Sequence, residues 1–236
     1  FLITQHMGHA ELAGQLVFTI PKKTTLGGKY GTNINLHYGI VKGIDKTMAG
    51  DSIPLNERGT LGYNSGFFAI GETKFFEDLT IEISRKFSPK VKAIAQYTHL
   101  DYNFDVIEEG IENGHLFYEA HIAVLDITYK FSPSKSLRTE LQYLATRQDS
   151  GDWLALAFEY TIAPRWFFSV MDQYNFNNPV SSNTYHYYNV AVGYIRNTNR
   201  LALSWGRQRE GILCVGGVCR NVPASSGLTI TLTSSF

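Results

Sequence analysis

The chain has 236 residues, a formal net charge of zero, 18% charged residues and 14% aromatics. Without a basic excess a nucleic-acid partner is not expected, and no run of 18 apolar residues exists to form a transmembrane helix. A mean hydropathy of −0.14 leaves membrane strands open, because a transmembrane barrel alternates lipid-facing and lumen-facing side chains.

In chain order, period-two alternation predicts about 11 strands, near 11–20, 29–42, 75–88, 90–104, 117–131, 136–147, 152–162, 166–176, 186–196, 199–210 and 226–236. In the second, Ile34, Leu36 and Tyr38 alternate with Asn33, Asn35 and His37. In the third, Leu79, Ile81 and Ile83 alternate with Thr80, Glu82 and Ser84. The polar set is Asp126, Thr128 and Lys130 in the fifth, and Arg138, Glu140 and Gln142 in the sixth. The seventh is the clearest, with Leu154, Leu156, Phe158, Tyr160 and Ile162 against Ala155, Ala157, Glu159 and Thr161. The eighth breaks parity: Asp172 shares a face with Val170 and Tyr174, which predicts a bulge or register change nearby. The last sets Leu228, Ile230 and Leu232 against Thr229, Thr231 and Thr233. Several strands reach 10 to 14 residues. Soluble strands usually have about 5–6, whereas tilted membrane strands need about 9–11.

The connections alternate in kind. Short ones fall at Ser88-Pro89, Ser132-Pro133-Ser134-Lys135, Ala163-Pro164-Arg165 and Asn197-Thr198-Asn199. Mostly longer, polar ones fall at 43–74, 105–116, 148–151, 177–185 and 211–225. Short periplasmic turns and longer extracellular loops characterise outer-membrane barrels. The repeated words Lys86-Phe87-Ser88-Pro89-Lys90 and Lys130-Phe131-Ser132-Pro133-Ser134-Lys135 mark the turn side, where proline ends a strand because it cannot donate to the ladder. Aromatics gather near the short turns (Phe87, Phe131, Trp166, Tyr194, Phe236) and toward the long loops (Phe75, Phe76, Phe117, Tyr118, Trp153, Tyr187, Tyr188), as two interfacial belts would.

The expected fold is therefore all-β, an antiparallel up-and-down transmembrane β-barrel, with residues 1–236 forming one barrel region. An odd count of 11 puts the two ends on opposite sides of a membrane, while bacterial single-chain barrels have an even number. The expectation is a C-terminal part of a longer barrel, completed by preceding strands or another chain.

Cys214 and Cys219 are the two cysteines, with four residues between them, and suggest a disulfide-closed loop in an oxidising compartment. Zinc is the competing reading, but it takes about four ligands and no histidine lies near the pair. His37, His99, His115, His121 and His186 are scattered, without G-x-S-x-G or H-E-x-x-H, and read as wall or loop residues. Asp101, Asp105, Glu108 and Glu109 read as a solvated loop, since their spacing lacks a calcium-loop pattern. No catalytic residue, metal site or cofactor is expected. Alternation assigns Glu82, Lys86, Asp126, Lys130, Arg138, Glu140, Gln142 and Glu159 to the lumen. There they either tune selectivity in an open pore or pair with one another in a narrow one.

The ending Gly227-Leu228-Thr229-Ile230-Thr231-Leu232-Thr233-Ser234-Ser235-Phe236, with residues 219–226 before it, resembles the C-terminus of a porin-like family of outer-membrane proteins in the Bacteroidota. Residues 19–33, including Gly27-Gly28-Lys29-Tyr30-Gly31-Thr32-Asn33, look like an internal segment of the same family. The resemblance implies a bacterial outer-membrane location and an additional N-terminal half, and carries no established chemistry. Leu232 and Phe236 resemble the signal read by the barrel-assembly machinery. The functional expectation is passive passage of small solutes. The alternative is a non-enzymatic scaffold for a cell-surface or outer-membrane complex, contacting partners through 43–74 and 211–225, and an outer-membrane enzyme comes last. The expected partners are outer-membrane lipid, the assembly machinery and other outer-membrane proteins.

Overall fold

The computed structural model describes residues 8–45, 47–48, 63–109, 115–148, 150–215 and 218–234, without the side chains at 47–48, 63–64, 211–215 and 218–220. Its strands in chain order are β1 (His9–Ile20), β2 (Thr32–Ile44), β3 (Thr47–Met48), β4 (Tyr63–Asn64), β5 (Ile70–Lys86), β6 (Val91–Asn103), β7 (Phe117–Ser132) and β8 (Lys135–Thr146). They continue as β9 (Asp152–Ile162), β10 (Trp166–Asn177), β11 (His186–Arg196), β12 (Asn199–Gln208), β13 (Gly211–Val215), β14 (Val218–Val222) and β15 (Ser225–Thr233).

Eleven of these form a single sheet in the order β1-β2-β5-β6-β7-β8-β9-β10-β11-β12-β15. Every neighbouring pair is antiparallel. The fold is all-β and up-and-down, one strand for each predicted one. The long connections between β2 and β5 and between β12 and β15 carry the small pairs β3–β4 and β13–β14. Among the described residues β1 and β15 have one neighbour each, so the sheet is not closed.

Antiparallel pairing aligns the period-two pattern of each strand with that of its neighbour. One row of directly opposed residues reads Phe18, Ile34, Ile83, Ala95, Leu125, Leu141 and Leu156 across seven strands. The adjacent row on the other face reads Val17, Asn35, Glu82, Gln96, Val124, Gln142, Ala155, Gln173 and Tyr187. The sheet thus has one apolar and one largely polar face.

Among the described residues nothing covers the apolar face. Leu125 and Leu141 are each 40% exposed, Phe158 39% and Ile230 67%. Among the described residues the one buried cluster is Val41, Phe75 and Val106, with Phe76 and Ile107 against it. A water-soluble domain would bury its large aliphatic side chains. This sheet displays them along one face.

That small cluster sits at the loop end of the strands, where β5 carries an extra residue. Val41 pairs with Phe76 and Lys42 with Lys74, so Phe75 is unmatched and the ladder bulges. Beside it Asn103, fully buried, caps the four-residue helix α1 (Phe104–Ile107) by accepting from the Val106 amide at 3.2 Å, while its Nδ2 donates to the Lys74 carbonyl.

The irregularity expected near Asp172 is present three residues on. Pairing with β9 runs unbroken from Trp166 to Asn175 and shifts only between Asn175 and Asn177. Asp172 stays on the apolar face opposite Leu156 and Tyr188. It is held by His186, whose Nδ1 lies 2.7 Å from Asp172 Oδ2.

At the opposite, turn end, Ser88 Oγ accepts from the Lys90 and Val91 amides at 3.1 and 3.0 Å, and Asn197 supplies a positive φ of 55° between β11 and β12. The connection at 21–31 lies on this side too and is long. Thr24, whose Oγ1 donates to the Pro21 carbonyl and accepts from the Gly27 amide, and Thr32, donating to the Leu26 carbonyl, fold it back.

Candidate functional site

The eight residues assigned to the lumen all fall on the polar face, and the structure brings five of them into one patch on β7, β8 and β9. Register sets Asp126 opposite Glu140 and Arg138 opposite Glu159. Arg138 Nε donates to Asp126, its Nη2 donates to Glu140, and Gln142 donates to the other Glu140 oxygen. Asp126 and Glu140 side chains are 15% and 18% exposed, and Arg138 is 49% exposed. Three carboxylates face one guanidinium, so the patch is net negative.

The other members lie apart. Glu82 is opposite Asn35 and Gln96. Lys86 pairs with Lys92 across β5 and β6, and its Nζ lies 5.1 Å from the Tyr30 ring centroid. Lys130 is opposite Ser136. The polar face therefore carries acids at mid-strand and lysines toward the turn end.

Toward the loop end the face holds a recess of about 260 Å³ lined by Gln142, Trp153, Met171, Gln173, Tyr187 and Arg209, among others. Trp153 and Tyr187 stack at a tilt, centroids 5.8 Å apart, with the Arg209 guanidinium 4.6 Å above Trp153. Arg207 covers Tyr185 at 4.1 Å and Tyr187 at 5.2 Å.

This corrects the expected loop-side belt. Trp153 and Tyr187 point to the polar face, and Phe75 and Phe76 belong to the buried cluster. The apolar face near the loops keeps Tyr188, against Trp205, and adds Tyr143, Tyr174 and Phe176 in ring contact. The turn-side grouping is present: Tyr129, Phe131 and Tyr160 make edge contacts, and Trp166 meets Phe168 and Tyr194.

The acidic stretch is structural rather than a bare loop. Asp105 accepts from the His115 and Leu116 amides, both at 3.0 Å, and Glu108 accepts from the Tyr102 hydroxyl. Asp101 lies within β6 and binds Lys74 at 2.6 Å. Leu232 stands on the apolar face opposite Leu201, 73% exposed, while Phe236 lies outside the described residues. Cys214 and Cys219 are directly opposite in the β13–β14 pair; their side chains lie outside the described residues.

The sequence reading missed one grouping. His99, Glu119 and His121, on β6 and β7, converge at the loop end of the apolar face. Only the register reveals it, because the residues are some 20 positions apart.

Among known proteins, the model of a family described as a family of unknown function (DUF6029) matches residues 3–236. No curated protein matches the chain.

Proposed function

The chain belongs to this family of unknown function, and we propose that it forms the wall of a bacterial outer-membrane β-barrel that passes small solutes through a polar lumen. The observation that carries this reading is the two-faced sheet, with a bare apolar face across all eleven strands and fixed charges on the other side. In lipid the apolar face needs no protein cover. Along β8 it runs from Leu137 to Ala145; at about 3.4 Å per residue and a tilt of about 40° that is roughly 20 Å of height, near the band of outer-membrane barrels. The ring clusters around Trp166 and Tyr129 fit one interfacial girdle.

The polar face then lines water. Its mid-strand acids around Arg138 favour cations in the adjacent solvent, and the lysines below them set a second, opposite tier. Unpaired strand edges are not tolerated in hydrocarbon, so β1 and β15 are closed by further strands or by another chain. An oxidising periplasmic passage accounts for the opposed cysteines as a disulfide that pins the β13–β14 hairpin.

Single-channel recording of the full-length protein in planar bilayers tests the reading. Discrete conductance steps are expected. A folded, inserted protein without them removes solute passage while leaving the membrane wall. The scaffold alternative draws on Phe67 and Phe68, an edge-to-face pair 94% and 84% exposed in the connection before β5, since bare aromatic pairs mark contact sites. Stoichiometric co-purification of another protein, abolished by Phe67→Ser with Phe68→Ser, would favour it.

A further inference from the structure

The β6–β7 register sets His99 opposite His121 and Asp101 opposite Glu119, and alternation puts all four on one face. We propose that His99, His121 and Glu119 bind a divalent transition-metal cation of the zinc type. The inference is independent of the channel reading, because the site lies on the apolar face, away from the polar lining.

The atoms already stand near ligand spacing. His121 Nε2 is 3.4 Å from Glu119 Oε1, and one donor atom from each of the three residues lies within 4.8 Å of the others. Tetrahedral zinc with bonds of about 2.0–2.2 Å holds neighbouring donors roughly 3.3 Å apart. The carboxylate and one imidazole meet that spacing as they stand. His99 closes the remainder, at most about 1.5 Å, by ring rotation.

The surroundings favour a cation. Tyr97 places its hydroxyl 2.8 Å from His121 Nδ1, which orients the ring with Nε2 toward Glu119, as outer-shell partners of metal-binding imidazoles do. Lys74 binds Glu77 at 2.7 Å and Asp101 at 2.6 Å, and Glu119 stands opposite Asp101, so carboxylates outnumber the ammonium. Asp101 is thereby committed to Lys74, and the metal set is two imidazoles and one carboxylate with a position left for water. The side chains of His99, His121 and Glu119 are 30%, 46% and 56% exposed at the loop-side edge of the apolar band, where His121 stands opposite Ala145, so an ion arrives from the loop side. Two nitrogens and one oxygen suit zinc, cobalt, nickel or copper; calcium and magnesium require oxygen sets.

The test is Co²⁺ titration of the full-length protein in detergent, without a histidine tag, followed by Zn²⁺ displacement. One Co²⁺ per chain with a visible ligand-field band, displaced by Zn²⁺, is expected. His99→Gln and His121→Gln, which keep polar side chains, should each weaken binding at least tenfold, and Tyr97→Phe by about tenfold while all three ligands remain. Circular dichroism and heat-dependent gel mobility confirm that each variant is folded. Wild-type binding no tighter than that of the folded double variant overturns the proposal. So does loss of the band in His37→Gln or His186→Gln in place of these.

Discussion

Leu141 is the sharpest probe of what covers the apolar face. It is 40% exposed, flanked by Leu125 and Leu156, and central in the β8 set from Leu137 to Ala145. If lipid covers it, Leu141→Arg carries a charge to the middle of the hydrocarbon and costs about 2–4 kcal/mol, falling to about 0–1 at Leu137, near the interface. If water covers it, the change is an ordinary surface substitution within about 0.5 kcal/mol. Gln142, one residue on, faces the polar side and donates to Glu140; Gln142→Arg meets a net-negative patch and should cost no more than about 1 kcal/mol. Guanidinium unfolding of the vesicle-inserted protein, followed by fluorescence of Trp153, Trp166 and Trp205, measures both variants. Equal effects at 141 and 142, or a loss below about 0.5 kcal/mol at 141, refute the lipid-facing assignment.

Three further outcomes follow from the same geometry. Arg138→Gln leaves Asp126, Glu140 and Glu159 without the guanidinium between them, so a conducting barrel should become more cation-selective, read as a shifted reversal potential in a salt gradient; an unchanged potential removes the patch from the conduction path. Gly193→Ala places a Cβ 2.0 Å from the ring of Phe167, itself 2% exposed and covered by Arg200 at 4.6 Å, and such overpacking should cost about 1–3 kcal/mol in the same unfolding assay. Cys214→Ser should leave the barrel assembled, judged by gel mobility, while β13–β14 becomes more sensitive to limited proteolysis; loss of assembly would give the pair a role in the wall.

Strand number and facing were legible because alternation is a local signal: Leu154 to Ile162 announces both the strand and its two sides. Register was not, because it depends on the conformation of long connections. That is why His99 and His121 read as separate wall residues, and why Trp153 and Tyr187 were assigned to a belt by distance from a loop rather than by parity. Asp172 was legible only in part. Its charge on an apolar face pointed to the irregularity found between Asn175 and Asn177, but not to His186, fourteen residues away and placed beside it by the β10–β11 register. The charged set on the polar face was readable as a list, but the convergence of Asp126, Glu140 and Glu159 on Arg138 needed three strands in register.

The unmatched Phe75 makes β5 two segments in series, half a period out of step. Below it Ile81 and Ile83 keep the apolar side; above it the phase is reset, so that both phenylalanines turn toward the buried cluster and Lys74 returns to the side of Glu77 and Asp101. Deleting either phenylalanine would remove the bulge and leave Lys74 opposite Lys42 on its present side, beside Glu77 and Asp101. The surplus residue thus sets how many aromatic rings the buried cluster receives while the ammonium keeps its side of the sheet.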